Sequence, residues 1–134
     1  MAMSQAGESF FTVVGCMDGR VQWPVAMFGK EKFDARFPDT ITEAGIVGLI
    51  AKGPDEKFIQ NLKLKLLVSI EKHYSKGIIV DGHQECAGNP VEEAQHKEDV
   101  KISVKFIKNL TANKVPVIGV FVVRAGDDWK AEEI

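Results

Sequence analysis

The stretch "VVGCMDGR", Val13–Arg20, decides how the fold is read. It ends an apolar run, "SFFTVVG" (Ser9 to Gly15), whose β-branched and aromatic residues mark a buried strand. The run then stops on a cysteine, an aspartate and an arginine. A cysteine at a strand tip can be a packing residue, a redox thiol or a metal ligand. The choice among these depends on what partners the rest of the chain supplies for Cys16.

Beyond this stretch, the segments alternate between strand-like and helix-like patterns. "VQWPVAMFGKEKFDARFPD", punctuated by Pro24, Gly29 and Pro38, reads as an irregular connection. "TIT" at Thr40 to Thr42 makes a short second strand, closed by Glu43, Ala44 and Gly45. From about Pro54 to Tyr74 the pattern is helical, with Ile59, Leu62, Leu66, Ile70 and Tyr74 on one face and Gly77 as the stop. "IIVDG" (Ile78 to Gly82) is a further buried strand. A second amphipathic helix runs from about Glu92 to Leu110, with Val100, Val104 and Ile107 on its stripe. "VPVIGVFVV" forms a last strand before the polar turn "RAGDDW". Near-continuous apolar strands alternating with helices predict an α/β fold with a mostly parallel central β-sheet flanked by helices.

The 134 residues fit one domain spanning 1–134. A formal net charge of -2 argues against a nucleic-acid-binding face, which needs a basic excess or stripe. Lys63, Lys65, Lys72 and Lys76 alternate with apolar residues at helical spacing and read as a solvated helix face. "MAMSQAGES" has neither a basic start nor an apolar core, so no signal peptide is expected. The longest apolar run is far shorter than the roughly 20 residues a membrane-spanning helix needs. A soluble, cytoplasmic protein with no membrane partner is the expectation, and its two cysteines are then more in keeping with thiols or metal ligands than with a disulfide.

In parallel α/β sheets, ligands gather at the carboxyl ends of the strands. Cys16 lies just past the first strand. His83 and Cys86, in "DGHQECAGNP" (Asp81 to Pro90), lie just past the third. If those strands are neighbours, two thiols and an imidazole converge. A Cys2His zinc set leaves one tetrahedral position open, the arrangement of a catalytic site. His73 and His96 sit within helical stretches and do not complete the set. Taken singly, His83 reads as a hydrogen-bonded loop histidine and Cys16 as a small buried apolar residue. The coincidence of all three at strand ends favours a metal site, while a Cys16–Cys86 redox pair stays open without a C-x-x-C to support it. Asp18 and Arg20 form either a loop salt bridge or a pair aimed at the same pocket, the arginine holding the carboxylate ionised and oriented.

These motifs resemble a family. "CMDGRVQWP" is similar to the C-x-D-S-R motif of the β-class carbonic anhydrases, and "HQECAG" to their H-x-x-C-G motif. "TEAG" at Thr42 to Gly45 resembles the Asn-Ala-Gly stretch that opens the helix after their second strand, and "VIGVFV" their last strand with its internal glycine. Gly19 stands where the family has serine, Ala87 where it has glycine, and Glu43 where it has asparagine. The resemblance implies Cys16, His83 and Cys86 as ligands of a Zn2+ ion and Asp18 and Arg20 as the catalytic dyad. It implies reversible hydration of carbon dioxide to bicarbonate by a metal-bound hydroxide, in a homodimer or higher homo-oligomer. A non-catalytic zinc-binding relative, a hydrolase of carbon disulfide or carbonyl sulfide, and a thiol redox protein are the alternatives.

Overall fold

The computed structural model describes residues 7–134. The segment 1–6, which carries most of the signal-peptide reading, lies outside them. The chain runs β1 (Phe10–Cys16), α1 (Gly19–Phe33), β2 (Phe37–Glu43), α2 (Ile46–Ala51), α3 (Glu56–Lys72), β3 (Ile78–His83), α4 (Glu93–Leu110), β4 (Val117–Ala125) and β5 (Asp128–Glu133). The strands form one sheet in the order β2-β1-β3-β4-β5. The first four are parallel, with Cys16 beside Glu43 and His83 beside Val122 at the strand ends, and β5 is antiparallel to β4.

Strand alternation distributes the apolar residues to two cores. Val14, Ile78, Val80 and Phe121 pack with Leu62, Leu66 and Ile70 of α3, Ile46 and Val47 of α2, and Val100 and Ile107 of α4. Phe11, Val13, Ile79, Val120 and Val122 face the other way, onto Val21 and Val25 of α1 and Trp129 and Ala131 of β5. Strands covered on both faces explain why they read as unbroken apolar runs.

The structure corrects the sequence reading in four places. The connection expected to be irregular is the fifteen-residue helix α1. Pro24 lacks the N–H that would reach the Arg20 carbonyl, and glycines are weak helix formers. Packing overrides both: Val21, Val25 and Gly29 form a buried stripe, and Gly29 lets the helix backbone approach the Phe11 ring where a side chain would collide. Secondly, α3 ends at Lys72, before Gly77. Tyr74 takes a left-handed φ of 54° and is exposed rather than on the buried stripe.

Thirdly, the "RAGDDW" turn is the bend of a β4–β5 hairpin, with Ala125 opposite Asp128 and Gly126 at φ 66°. Fourthly, β2 begins three residues before "TIT", while α2 follows the Glu43–Gly45 segment directly, as the resemblance of "TEAG" implies. The lysines at 63, 65, 72 and 76 are all exposed. No helix among the described residues is long and apolar enough to cross a membrane.

Candidate metal centre

β1 leads to β2 on one side of itself, while β3 and β4 lie on the other. The crevice between the ends of β1 and β3 is therefore the switch point of the sheet, where such folds place ligands. Cys16 closes β1 and His83 closes β3. Beyond His83 the chain stays tied to the sheet through the Gln84 N–H on the Val122 carbonyl (3.0 Å). Glu85 then turns it at a left-handed φ of 58°, which returns Cys86 to the crevice.

The ligand atoms of Cys16, His83 and Cys86 all lie within 4.8 Å of one another, and all three residues are buried. The two sulfurs are 3.8 Å apart, within reach of a weak S–H···S contact, and form no disulfide. His83 Nδ1 is 2.7 Å from the Gln84 carbonyl, which only accepts, so Nδ1 carries the proton and Nε2 keeps its lone pair. That Nε2 is buried without a hydrogen-bond partner. An orphaned imidazole nitrogen beside two thiols is costly unless an electrophile completes it. The donor set fits a thiophilic divalent cation, and the Nδ1–carbonyl bond is the outer contact that metal-binding histidines make.

The surroundings favour negative sulfur at one position. Burial works against the Cys16 thiolate. The His83 imidazole, once it takes a second proton at Nε2, and the backbone N–H groups of Gly45 and Asp18 outweigh it and bring the thiol down to about 7. The Gly45 N–H points at Cys16 Sγ from 3.4 Å. Gly45 has φ 57° and its backbone lies against that of Gly88, so neither position has room for a side chain. Burial and the Cys16 charge push the Cys86 thiol up. Beneath the crevice, Asp81 accepts the Cys16 N–H at 3.1 Å, its carboxylate pressed on Gly15 and raised by burial to about 7.

Asp18 caps α1, accepting the Arg20 N–H at 2.9 Å. The Arg20 side chain also grips it, Nε to Oδ1 at 3.1 Å and Nη2 to Oδ2 at 2.8 Å. Hydrogen bonds from Arg20 hold this carboxyl down at about 2. The helix-cap and ion-pair roles therefore coincide. Gln22 donates to the carbonyls of both Cys16 and Asp18 at 2.8 Å and stiffens the loop between them.

Sequence reasoning missed Gln22, Asp81, Glu85, Arg124 and Trp129 as neighbours of the site. Only Glu85 carried a local signal, its place between His83 and Cys86. Arg20 Nη1 reaches Glu85 Oε1 at 3.2 Å, while Arg124 binds both Glu85 oxygens at 2.9 Å. The Trp129 ring lies 4.8 Å from the Arg20 guanidinium and 4.6 Å from that of Arg124. His96 is buried 6.2 Å from the His83 ring, whereas His73 pairs with Asp39 and stacks on Phe10 near the start of β1. A pocket of about 530 Å3 opens beside the ligand loop, walled by His83, Cys86, Val91, His96, Phe121 and Arg124. Asp18 and Arg20 are not among its lining residues.

The molecule is thus an α/β protein with a Cys-His-Cys group, able to hold a metal ion, at the switch point of a mostly parallel sheet. The chain belongs to the family described as "Putative carbonic anhydrase", whose model matches residues 6–134. Two solved structures share the fold. β-Carbonic anhydrase isoform I of Trichomonas vaginalis is 15% identical, with 98% of this chain and 86% of that one covered at a TM-score of 0.57. The carbonic anhydrase of Streptococcus mutans is 16% identical, with 92% and 80% covered at a TM-score of 0.60. No curated protein matches the chain.

Proposed function

We propose that this chain is a zinc enzyme that hydrates carbon dioxide reversibly to bicarbonate, acting as one carbonic anhydrase-like domain over residues 1–134. Cys16, His83 and Cys86 are the zinc ligands in this reading. The observation that carries it is the buried, partnerless Nε2 of His83 facing two thiols, 3.8 Å apart, at the strand ends. The family assignment supports the reaction class. Zinc with three protein ligands keeps one position for water and brings the pKa of that water to about 7, which makes a nucleophile available at neutral pH.

The chain's own residues supply the rest. Asp18, held ionised by Arg20, accepts a hydrogen bond from the attacking water and orients it toward the carbon. Arg20 holds both oxygens of that carboxylate and so fixes its orientation. The Gly45 N–H moderates the charge on the Cys16 sulfur. Gln22 and Asp81 hold the backbone of Cys16 from opposite sides, so its thiolate does not drift.

The substrate is a small molecule in this reading, and neither nucleic acid nor membrane is a partner. The cytoplasm is the proposed location. The assembly is a homodimer or higher homo-oligomer, for which exposed Met17, Trp23 and Met27 near the dyad offer an apolar surface.

Stopped-flow carbon dioxide hydration on protein of checked zinc content tests the reading. A rate well above the buffer blank at neutral or alkaline pH is expected. A fully zinc-loaded protein with no rate would instead make this a non-catalytic zinc-binding relative.

A further inference from the structure

Arg20 sits on the exposed side of α1, directly after the unbranched backbone of Gly19. A lone exposed arginine–carboxylate pair at such a place contributes little and reorients readily. Here, however, every nitrogen of its guanidinium donates a hydrogen bond and its flat face is covered. Nε and Nη2 are on Asp18, Nη1 is on Glu85 Oε1, and Nη2 also reaches the Glu85 carbonyl at 3.2 Å. Trp129 covers the guanidinium. Glu85 is itself fixed from behind, because Arg124 engages both of its oxygens and stacks on the same indole. The Arg124 backbone N–H holds Gln84 Oε1 at 2.8 Å, tying down the other side of the same loop. Four separate elements thus meet: the start of α1, the His83–Cys86 loop, β4 and β5.

We propose that Glu85, Arg124 and Trp129 form a clamp that fixes Arg20, and through it Asp18, relative to the loop carrying His83 and Cys86. They are positioning residues, and the inference deepens the metal-centre reading on which it rests. The antiparallel strand β5 thereby gains a task at the site, since it delivers the indole. Charge-assisted, bidentate contacts give the clamp direction, and the indole face excludes water from one side of both guanidiniums. Coupling of this kind is reciprocal: a clamp that favours the metal-binding geometry of the loop is itself tightened when the loop holds a metal.

The test uses 15N-labelled full-length protein and two readouts. The first is solvent exchange of the Arg20 Nε–H, assigned by its loss in Arg20→Lys. The second is zinc affinity by chelator competition. In Glu85→Gln and in Trp129→Leu, exchange is expected to quicken at least about tenfold and zinc affinity to fall by about tenfold, the lower end for outer contacts of a metal site. Trp129→Phe, which keeps an aromatic face, retains most of both. Unchanged Arg20 exchange in Glu85→Gln and Trp129→Leu overturns the clamp, even if both variants lose thermal stability. If the unmodified protein binds no zinc, the metal reading fails, and Arg20 exchange still decides the clamp.

Discussion

The sulfurs of Cys16 and Cys86 lie 3.8 Å apart although seventy residues separate them in the chain. Two buried thiols at that distance, one lowered to about 7 and the other pushed up, gain most from a shared cation. Cys86→Ser is expected to lower zinc affinity by more than about a hundredfold, beyond the loss typical of outer contacts. Metal content after exhaustive dialysis measures it. Full retention of one zinc per chain would sink the ligand assignment.

Asp18 is a helix cap and an Arg20 partner at once, and neither role touches the three proposed ligands directly. Asp18→Asn is therefore expected to keep its zinc while turnover falls about a hundredfold, the scale of a misoriented reacting group. The pH dependence of turnover changes with it. An unchanged rate and profile would make the aspartate a cap and nothing more.

Gly15 and Asp81 occupy adjoining strands with the carboxylate where a Gly15 side chain would stand. Gly15→Ala is expected to destabilise the fold by about 1–3 kcal/mol through overpacking. In the double variant with Asp81→Ala the total loss is less than the sum of the two, because Asp81→Ala removes the carboxylate that the new methyl group strikes. Urea denaturation of the four proteins measures the coupling, and strict additivity would refute the contact.

His96 has its pKa lowered, chiefly by burial and secondarily by the facing His83, with Asp99 opposing. A histidine depressed on folding adds stability above its unfolded value of 6.5 and loses it as pH falls through the lower folded value. Asp81, raised by burial to about 7, and His83, also raised, add stability as pH falls over this range. The His96 contribution is therefore expected as a loss of urea resistance below about pH 6.5 in metal-free protein relative to His96→Gln. Equal slopes for the two proteins would contradict the assignment.

Much of this was legible along the chain because buried strands and amphipathic helices write their period locally. β1, β3, α3, α4 and β4 stand out in that way, and so does the pairing of Cys16 with His83 and Cys86 at strand ends. α1 was illegible: Pro24, Gly19 and Gly29 all argue locally against a helix, and only the seat against Phe11 makes the segment one. β5 was hidden for a different reason. Its strand is short and largely polar, and what makes it a strand is the neighbouring edge of β4.

Residue type and spacing are local properties, so the chain alone specified apolar strands and helices with cysteine, histidine and aspartate at the strand ends. The adjacency of β1 and β3, which brings three distant side chains within 4.8 Å, arises only on folding. So does the setting of Glu85, Arg124 and Trp129 around Arg20. Contacts across sheet order and loop return depend on how the two cores close, and no window of sequence contains that information.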